Sequence, residues 1–92
     1  MNKTSTIITV LGEDHTGIIA VVATTLAEKG ANILDIRQGV LGDIFSMTMK
    51  VDLDEDVATF NEVQEALEED SKKLKMQIQI QREDVFKFMY NV

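Results

Sequence analysis

The apolar residues of this chain change their spacing repeatedly, and the order of those changes limits the folds that 92 residues can adopt. Apolar side chains on every second position, or dense β-branched runs, predict strands, because successive side chains of a strand point to opposite faces. Apolar side chains three or four positions apart predict helices, because those positions share one face. In chain order, the spacings predict strand, helix, strand, strand, helix, strand and a short final helix.

The first part of the chain is predicted to form one strand and one helix. Residues 6–11 are mostly β-branched, which predicts a short central strand that stops at Gly12. The helix that follows Gly17 carries a single stripe formed by Ile18, Val22, Thr25, Leu26 and Lys29. Gly30 stands where helices often end in a left-handed residue, a conformation that glycine adopts at little cost.

Two alternating runs around Gly42-Asp43 predict a β-hairpin. In residues 32–40, the pattern places Leu34, Ile36 and Val40 on one face and Asp35, Arg37 and Gly39 on the other. In residues 44–53, the apolar face consists of Phe45, Met47, Met49, Val51 and Leu53. Met47 and Met49 are therefore expected in the core rather than at a soft-metal site.

The last part of the chain is predicted to form a helix, a strand and a short terminal helix. Asp54-Glu55-Asp56 is expected to open the helix, because carboxylates favour the positive end of the helix dipole. Its buried stripe is Phe60, Val63 and Leu67. Residues 74–81 alternate strictly between apolar and polar, which predicts a half-exposed strand. Phe86, Met89 and Tyr90 give the terminal helix an apolar edge, which packs either on the end of the core or on a second subunit.

This order of elements is the β-α-β-β-α-β arrangement of ferredoxin-like folds. We predict one α+β domain over residues 1–92: a four-stranded antiparallel sheet with two helices on one face, plus a short C-terminal helix. The other face is expected to be polar and uncovered. The expected edge strands, residues 32–40 and 74–81, contain no proline that would block pairing. We therefore expect a homodimer in which the loop over residues 14–18 lies near residues 32–35 of the other copy.

The charge distribution argues against nucleic acid as a partner. The net charge is −7, and nine acidic residues but no Lys or Arg fall between Asp52 and Asp70. A phosphate backbone repels such a chain, and the polar strand faces lack the aromatic residues that stack on RNA bases. The acidic stretch is expected to be a solvated helix face.

Composition also excludes several kinds of site. The chain has no Cys and one His, which excludes disulfides, thiolate catalysis, zinc fingers and multi-histidine metal sites. Asp52-x-Asp54-x-Asp56 resembles the start of a calcium loop, but Val57 and Val63 stand where that loop requires glycine and glutamate. No metal or cofactor is expected.

No feature of the sequence points to a membrane. The longest apolar run, residues 18–23, has six residues, whereas a bilayer-spanning helix needs about 20. The start of the chain does not match a signal peptide, so a cytoplasmic location is expected.

The main candidate for a binding site is the loop over residues 12–18, Gly-Glu-Asp-His-Thr-Gly-Ile, which joins the first strand to the first helix. A helix N-terminus has free N–H groups and a partial positive charge, which suit a carboxylate or a phosphate. The structural alternative is that Asp14 or Thr16 caps the helix with its own side chain. His15 has no second base or nucleophile near it in sequence, and no Arg lies in the loop, so neither hydrolase nor acylphosphatase chemistry is expected.

The Gly-x-Asp-x-x-Gly-Ile motif, the helix that ends at Gly30 and the pair Asn32-Ile33 resemble the ACT domain. The resemblance covers nearly the whole chain and is strongest to small stand-alone ACT proteins, which share an ending similar to Phe-Lys-Phe-Met-Tyr-Asn-Val. It implies a non-enzymatic regulatory module that binds a small molecule, generally an amino acid, at a dimer interface.

Carried over to this sequence, the resemblance implies ligand contacts from Asp14, His15, Thr16, Gly17, Ile18, Asn32 and Ile33. Many ACT domains are attached to an enzyme or a DNA-binding domain, and this sequence contains neither. Some members have lost ligand binding. The alternative function is therefore a purely structural dimerisation or protein-interaction module.

Overall fold

Seven elements follow one another in the predicted order. The computed structural model describes residues 3–90, apart from the side chain of Tyr90. The elements are β1 (Lys3–Glu13), α1 (Ile18–Glu28), β2 (Asn32–Leu41), β3 (Ile44–Asp54), α2 (Phe60–Leu74), β4 (Gln77–Arg82) and α3 (Glu83–Tyr90). None of the helices in this described part is long and apolar enough to cross a membrane.

The four strands form one antiparallel sheet in the order β2-β3-β1-β4. The ferredoxin-like prediction is therefore confirmed, with β2 and β4 at the edges. β1 does not stop at Gly12 as predicted, because Gly12 pairs with Phe45 and the ladder continues to Glu13 opposite Ile44. At the other end of the sheet, Lys3 lies opposite Asp54.

The two faces of the sheet differ in what covers them. The face that carries Ile8, Val10, Met47 and Met49, here the helix face, packs with Val22, Leu26, Val63 and Leu67 of α1 and α2. Met47 and Met49 are 2% and 1% exposed, which confirms their core assignment. The opposite face, here the open face, carries Thr9, Leu11, Ser46 and Thr48, which lie opposite one another in the β1–β3 register.

α2 begins later than predicted. Asp54, Glu55 and Asp56 form a turn, in which the carbonyl oxygen of Asp54 accepts hydrogen bonds from the N–H groups of residues 57 and 58. The helix starts at Phe60, because Thr59 and Glu62 form a capping box in which each side chain accepts from the other's backbone N–H.

β4 also begins later than the alternating pattern suggests. Leu74 is the last residue of α2, and Lys75 takes a left-handed conformation with φ of 57°. Ser71 holds this turn, because its carbonyl oxygen accepts from Met76 N at 3.1 Å. The strand proper therefore starts at Gln77, although Met76 and Ile80 are buried as the alternation predicted.

A β-bulge in β2 changes the predicted faces of that strand. The register shifts between Ile33 and Asp35, so that Leu34 has no partner on β3. Ile33 lies opposite Val51 and Ile36 lies opposite Met49, which puts both on the helix face. In a regular strand, Leu34 would share a face with Ile36 and Val40, as predicted. The bulge at Leu34 breaks this alternation.

α3 lies on the open face, which is therefore not uncovered as predicted. Ser5 Oγ donates to Glu83 Oε1 at 2.8 Å, Lys50 Nζ lies 3.2 Å from Glu83 Oε2, and Gln81 Nε2 lies 3.3 Å from Met89 Sδ. The register places Ser5, Lys50 and Gln81 on the open face. Of the three tail residues, Phe86 is half-buried and Met89 is exposed, while the Tyr90 side chain lies outside the described residues. The tail does not close the main core.

Candidate functional site

The predicted binding loop lies at one end of the sheet, between the β2–β3 turn and the end of α2. Asp14 N donates to the carbonyl oxygen of Asp43 at 2.8 Å. His15 Nε2 lies 2.8 Å from the carbonyl oxygen of Leu74, and Nδ1 lies 3.2 Å from that of Thr16. Because a carbonyl oxygen only accepts, Nε2 carries a hydrogen in this contact. Although His15 is exposed, its contact with Leu74 thus holds the loop against the end of α2.

The N-terminus of α1 is open. Gly17 is its N-cap residue with φ of 92°, and no side chain among residues 3–90 caps it, so the structure does not contain the alternative arrangement in which Asp14 or Thr16 caps the helix. A Cβ at Gly17 would meet no atom within 4 Å, so the space beside it is free. Ile18 is 3% exposed and its side chain belongs to the core, so it offers only its backbone N–H to this region.

Asn32 and Ile33, the other predicted part of the site, lie at the opposite end of the sheet from the loop. The loop follows Glu13, which is level with Ile44, whereas Asn32 is level with Asp52 on the same strand. The eight residues between these β3 positions correspond to about 25 Å along a strand. Within one chain, the loop and Asn32-Ile33 are therefore not brought together.

Asn32 and Ile33 also differ in the face that they occupy. Ile33 pairs with buried Val51 and lies on the helix face, the side that carries α1. Asn32 pairs with Asp52 and lies on the open face. Of the two residues, Ile33 is the one whose side chain shares a side of the sheet with the start of α1.

β2 is exposed along its entire length, on both faces. Ile33, Ile36 and Val40 are 37%, 39% and 57% exposed on the helix face, beyond the cover of α1. On the open face, Arg37 Nη2 lies 3.3 Å from Asp35 Oδ2, so the two charges of the strand compensate each other. An apolar edge strand without an unpaired charge is suited to pairing with another strand.

One polar residue near the end of α2 that His15 contacts was not identified as a candidate from the sequence. Asp70 was counted with the solvated acids, yet it is 7% exposed and its Oδ2 has no hydrogen-bond partner in the described part of the chain. The signal was available, because positions 63, 67, 70 and 74 form one helical stripe and all four are buried. Asp70 lies one turn before Leu74, the residue that His15 contacts.

The acidic residues form no metal site in the region that the structure describes. No group of three or more His, Asp or Glu side chains is arranged to hold an ion within residues 3–90. In the stretch that resembles a calcium loop, Asp54 Oδ1 instead accepts from Asp56 N at 3.0 Å, which stabilises the turn.

Comparison with known proteins gives consistent matches. The family model described as ACT domain matches residues 4–81. A UPF0237 protein of Clostridium acetobutylicum is 46% identical over 86 residues, covering 94% of this chain and 97% of that protein. The structure of an ACT domain protein from Streptococcus pneumoniae superimposes with a TM-score of 0.79 at 36% identity, covering 94% and 97% of the two chains. The regulatory subunit of aspartate kinase from Thermus thermophilus superimposes with a TM-score of 0.66 at 31% identity, covering 85% of this chain and 50% of that one.

Proposed function

The chain belongs to the ACT domain family of regulatory, small-molecule-binding modules, and from that premise we propose that it is a non-enzymatic homodimer that binds an amino acid between its two subunits. In this proposal, the residues 14–18 loop of one protomer and the Asn32-Ile33 segment of the other form each site. One structural relative is the regulatory subunit of an aspartate kinase, which supports a regulatory role for this chain.

The observation that carries the proposal is the separation of the two half-sites along the sheet. Antiparallel pairing of β2 with the β2 of a second copy reverses one strand relative to the other. The start of one β2 then lies beside the end of the other, next to the turn to which Asp14 is bonded. The same pairing covers the parts of Ile33, Ile36 and Val40 that stay exposed within residues 3–90.

The chemistry of the loop supports an amino acid as the ligand. The uncapped N-terminus of α1 offers N–H donors and a partial positive charge to a carboxylate. Gly17 leaves the approach free on its Cβ side. The partner's Ile33 supplies an apolar wall on the same side of the sheet, while the partner's Asn32 approaches from the edge and offers a carboxamide.

The test combines a thermal-shift screen of the twenty amino acids with calorimetry on variants. Asn32→Ala is compared with Asn61→Ala, an exposed residue of the same type on α2. If Asn32 bonds the ligand, its loss weakens binding by about 1–3 kcal/mol, roughly 5- to 150-fold, and the control leaves affinity unchanged. Ile33→Ala tests the apolar wall in the same way.

Two outcomes contradict the amino-acid proposal. If no amino acid shifts the melting temperature and the protein is a dimer, the purely structural dimerisation module is the correct function. If a ligand binds with equal affinity to the parent and to both β2 variants, the site lies elsewhere on the chain.

A further inference from the structure

The open face of the sheet has a step, because α3 covers only one end of it. The three contacts from Glu83 and Met89 hold α3 over Ser5, Lys50 and Gln81, toward the Lys3 end of β1. No helix lies over the Glu13 end of that face, among the residues that the structure describes. The helix therefore stands above the sheet at one end and leaves a recess at the other.

α3 carries three exposed apolar side chains, of which Met89 also contacts its own sheet through Gln81. Val85, Phe88 and Met89 occupy positions i, i+3 and i+4, one face of the helix. They are 45%, 86% and 56% exposed. A phenylalanine at 86% exposure has almost no contact within its own chain.

The bare end of the open face is also apolar. Leu11, Leu41 and Ile44 are 46%, 82% and 50% exposed there. A hollow of about 480 Å³ lies between Leu11, Ile44 and Gln77, and Glu13 and Asp43 border it. Between this end and α3, the face is uncharged; it consists of Thr9, Gly39, Ser46, Thr48, Gln77 and Gln79, with the Asp35–Arg37 pair at its margin.

We propose that a second copy of this chain stacks on the open face with the sheet ends exchanged, so that Phe88 of each protomer enters the other's hollow beside Leu11. A two-fold axis in the plane of the sheets and perpendicular to the strands places the α3 end of each copy over the bare end of the other. Such an isologous contact uses the same surface twice and closes on itself. This interface is separate from the β2 edge and leaves that edge free.

Charge opposes a second copy less on this face than on the acidic face of α2. The chain carries −7, and nine of its 16 acidic residues fall between positions 52 and 70. Two copies that meet through the exposed carboxylates of α2 repel each other, whereas the open face between Leu11 and α3 carries only the compensated Asp35–Arg37 pair, with Glu13 and Asp43 at its end. Stacking on the open face therefore meets less like-charge repulsion than contact through α2.

The area is sufficient for a stable contact. Strands of 11, 10, 11 and 6 residues, about 4.8 Å apart and about 3.3 Å per residue, give a face of about 600 Å² per copy, part of which lies under α3. Standard protein–protein interfaces bury about 800 Å² per partner. The α3 stripe adds to the sheet area, so the stacked face is within the range of specific interfaces.

The mass of the assembly gives the first test. Face stacking together with the β2 contact predicts a tetramer of about 41 kDa, four times the 10.3 kDa chain. Phe88→Asp is expected to halve the mass in sedimentation equilibrium at micromolar concentration, whether or not β2 pairs. The control, Val57→Asp, replaces an apolar residue 58% exposed outside both surfaces and is expected to leave the mass unchanged. An unchanged mass in Phe88→Asp would overturn the proposal.

Crosslinking gives a second test that does not depend on a destabilising charge. Because the chain has no cysteine, Phe88→Cys and Leu11→Cys together create a defined pair. A short bismaleimide is expected to link two copies through these positions, so that most of the protein runs as covalent dimer. The pair Phe88→Cys and Val57→Cys is the control and is expected to stay unlinked. Equal yields from the two pairs, or no product from the first, would contradict the stacking.

Discussion

His15 Nε2 lies 2.8 Å from the carbonyl oxygen of Leu74, which ties the loop before α1 to the last residue of α2. The contact joins residues 59 positions apart in sequence. It therefore positions the start of α1, the proposed carboxylate-binding end, relative to the core. The single histidine of the chain therefore connects the proposed site to the end of α2.

Removing this brace should destabilise the protein modestly. His15→Ala is expected to lower the free energy of unfolding by about 1 kcal/mol, because one side-chain hydrogen bond to the end of α2 is lost. Urea unfolding followed by circular dichroism measures the change. Thr16→Ala, in the same exposed loop, should stay within about 0.5 kcal/mol of the parent. Equal effects from the two variants would show that the His15–Leu74 contact does not contribute to stability.

The attachment of α3 should depend on pH through Glu83. The Ser5 hydroxyl, the Lys50 ammonium and the charge of Lys87 hold the pKa of Glu83 below its ordinary range. A lowered folded-state pKa means that the ionised carboxylate stabilises the fold above the unfolded-state pKa of about 4.3. That contribution is lost as the pH falls through the folded-state pKa.

Glu83→Gln tests this dependence. The variant should melt at a lower temperature than the parent at pH 7, and the difference should vanish in strong acid, where both side chains are neutral. Glu68→Gln, on the exposed face of α2, is the control and should show no such convergence. A difference between Glu83→Gln and the parent that is constant with pH would contradict the role of the Glu83 carboxylate.

The buried side chain of Asp70 should lower the free energy of unfolding at neutral pH. Its Oδ2 is buried without a partner among the described residues, and an unpaired buried polar group costs about 1–3 kcal/mol. Asp70→Asn replaces the carboxylate by a neutral amide of nearly the same volume, and because a neutral group costs less to bury than an ion, it should raise the free energy of unfolding by about 1 kcal/mol at pH 7. Glu65→Gln, exposed on the same helix, should be neutral. A loss of stability in Asp70→Asn would indicate a favourable interaction of the carboxylate, such as with the positive end of α1.

Pairing through β2 should be sensitive to a charge on its helix face. Ile36→Asp places two carboxylates at a contact between copies and should weaken association by about 2 kcal/mol, roughly 30-fold. The measurement is best made in the Phe88→Asp background, where the β2 contact alone holds two chains together. Val57→Asp in that background should leave the dimer intact. An Ile36→Asp protein that dimerises as tightly as its parent would remove β2 from the interface.

The capping box at the start of α2 should stabilise the helix measurably. Thr59 accepts from Glu62 N at 3.2 Å, and Glu62 accepts from Thr59 N at 2.9 Å. Thr59→Ala should cost about 1 kcal/mol in urea unfolding. Thr24→Ala, exposed within α1, should be neutral or slightly stabilising, because alanine is the better helix former there. No loss in Thr59→Ala would show that the helix start depends on the preceding turn instead.

The sequence was sufficient for the order of the elements and for the core. Residues such as Val22, Leu26, Met47 and Met49 are buried where their spacing predicted, because burial of an apolar stripe follows directly from helix and strand periods. Element ends were less predictable. Asp54-Glu55-Asp56 has the composition of a helix start, but hydrogen bonds to the Asp54 carbonyl hold it in a turn. Residues 74–76 alternate like a strand, but Leu74 ends α2, and the hydrogen bond from Met76 N to Ser71 holds residues 75–76 in a turn.

The sequence predicted which residues form the candidate loop, but it did not predict which contacts they make. The motif of residues 12–18 predicts a helix N-terminus, because glycine and polar residues lie between a predicted strand and a predicted helix. That Asp14 and Thr16 leave this end uncapped, and that His15 reaches Leu74, depend on how α1 and α2 pack side by side.

The sequence by itself determined the fold, because periodicity is local and is read from neighbouring residues. Only the tertiary structure decided that Asn32-Ile33 lies about 25 Å from the loop in one chain, since strand register sets which positions share an end of the sheet. It also decided that Leu34 sits in a bulge and that α3 turns back onto the open face, where Glu83 meets Ser5 and Lys50. These contacts join residues far apart in sequence, and no local pattern encodes them.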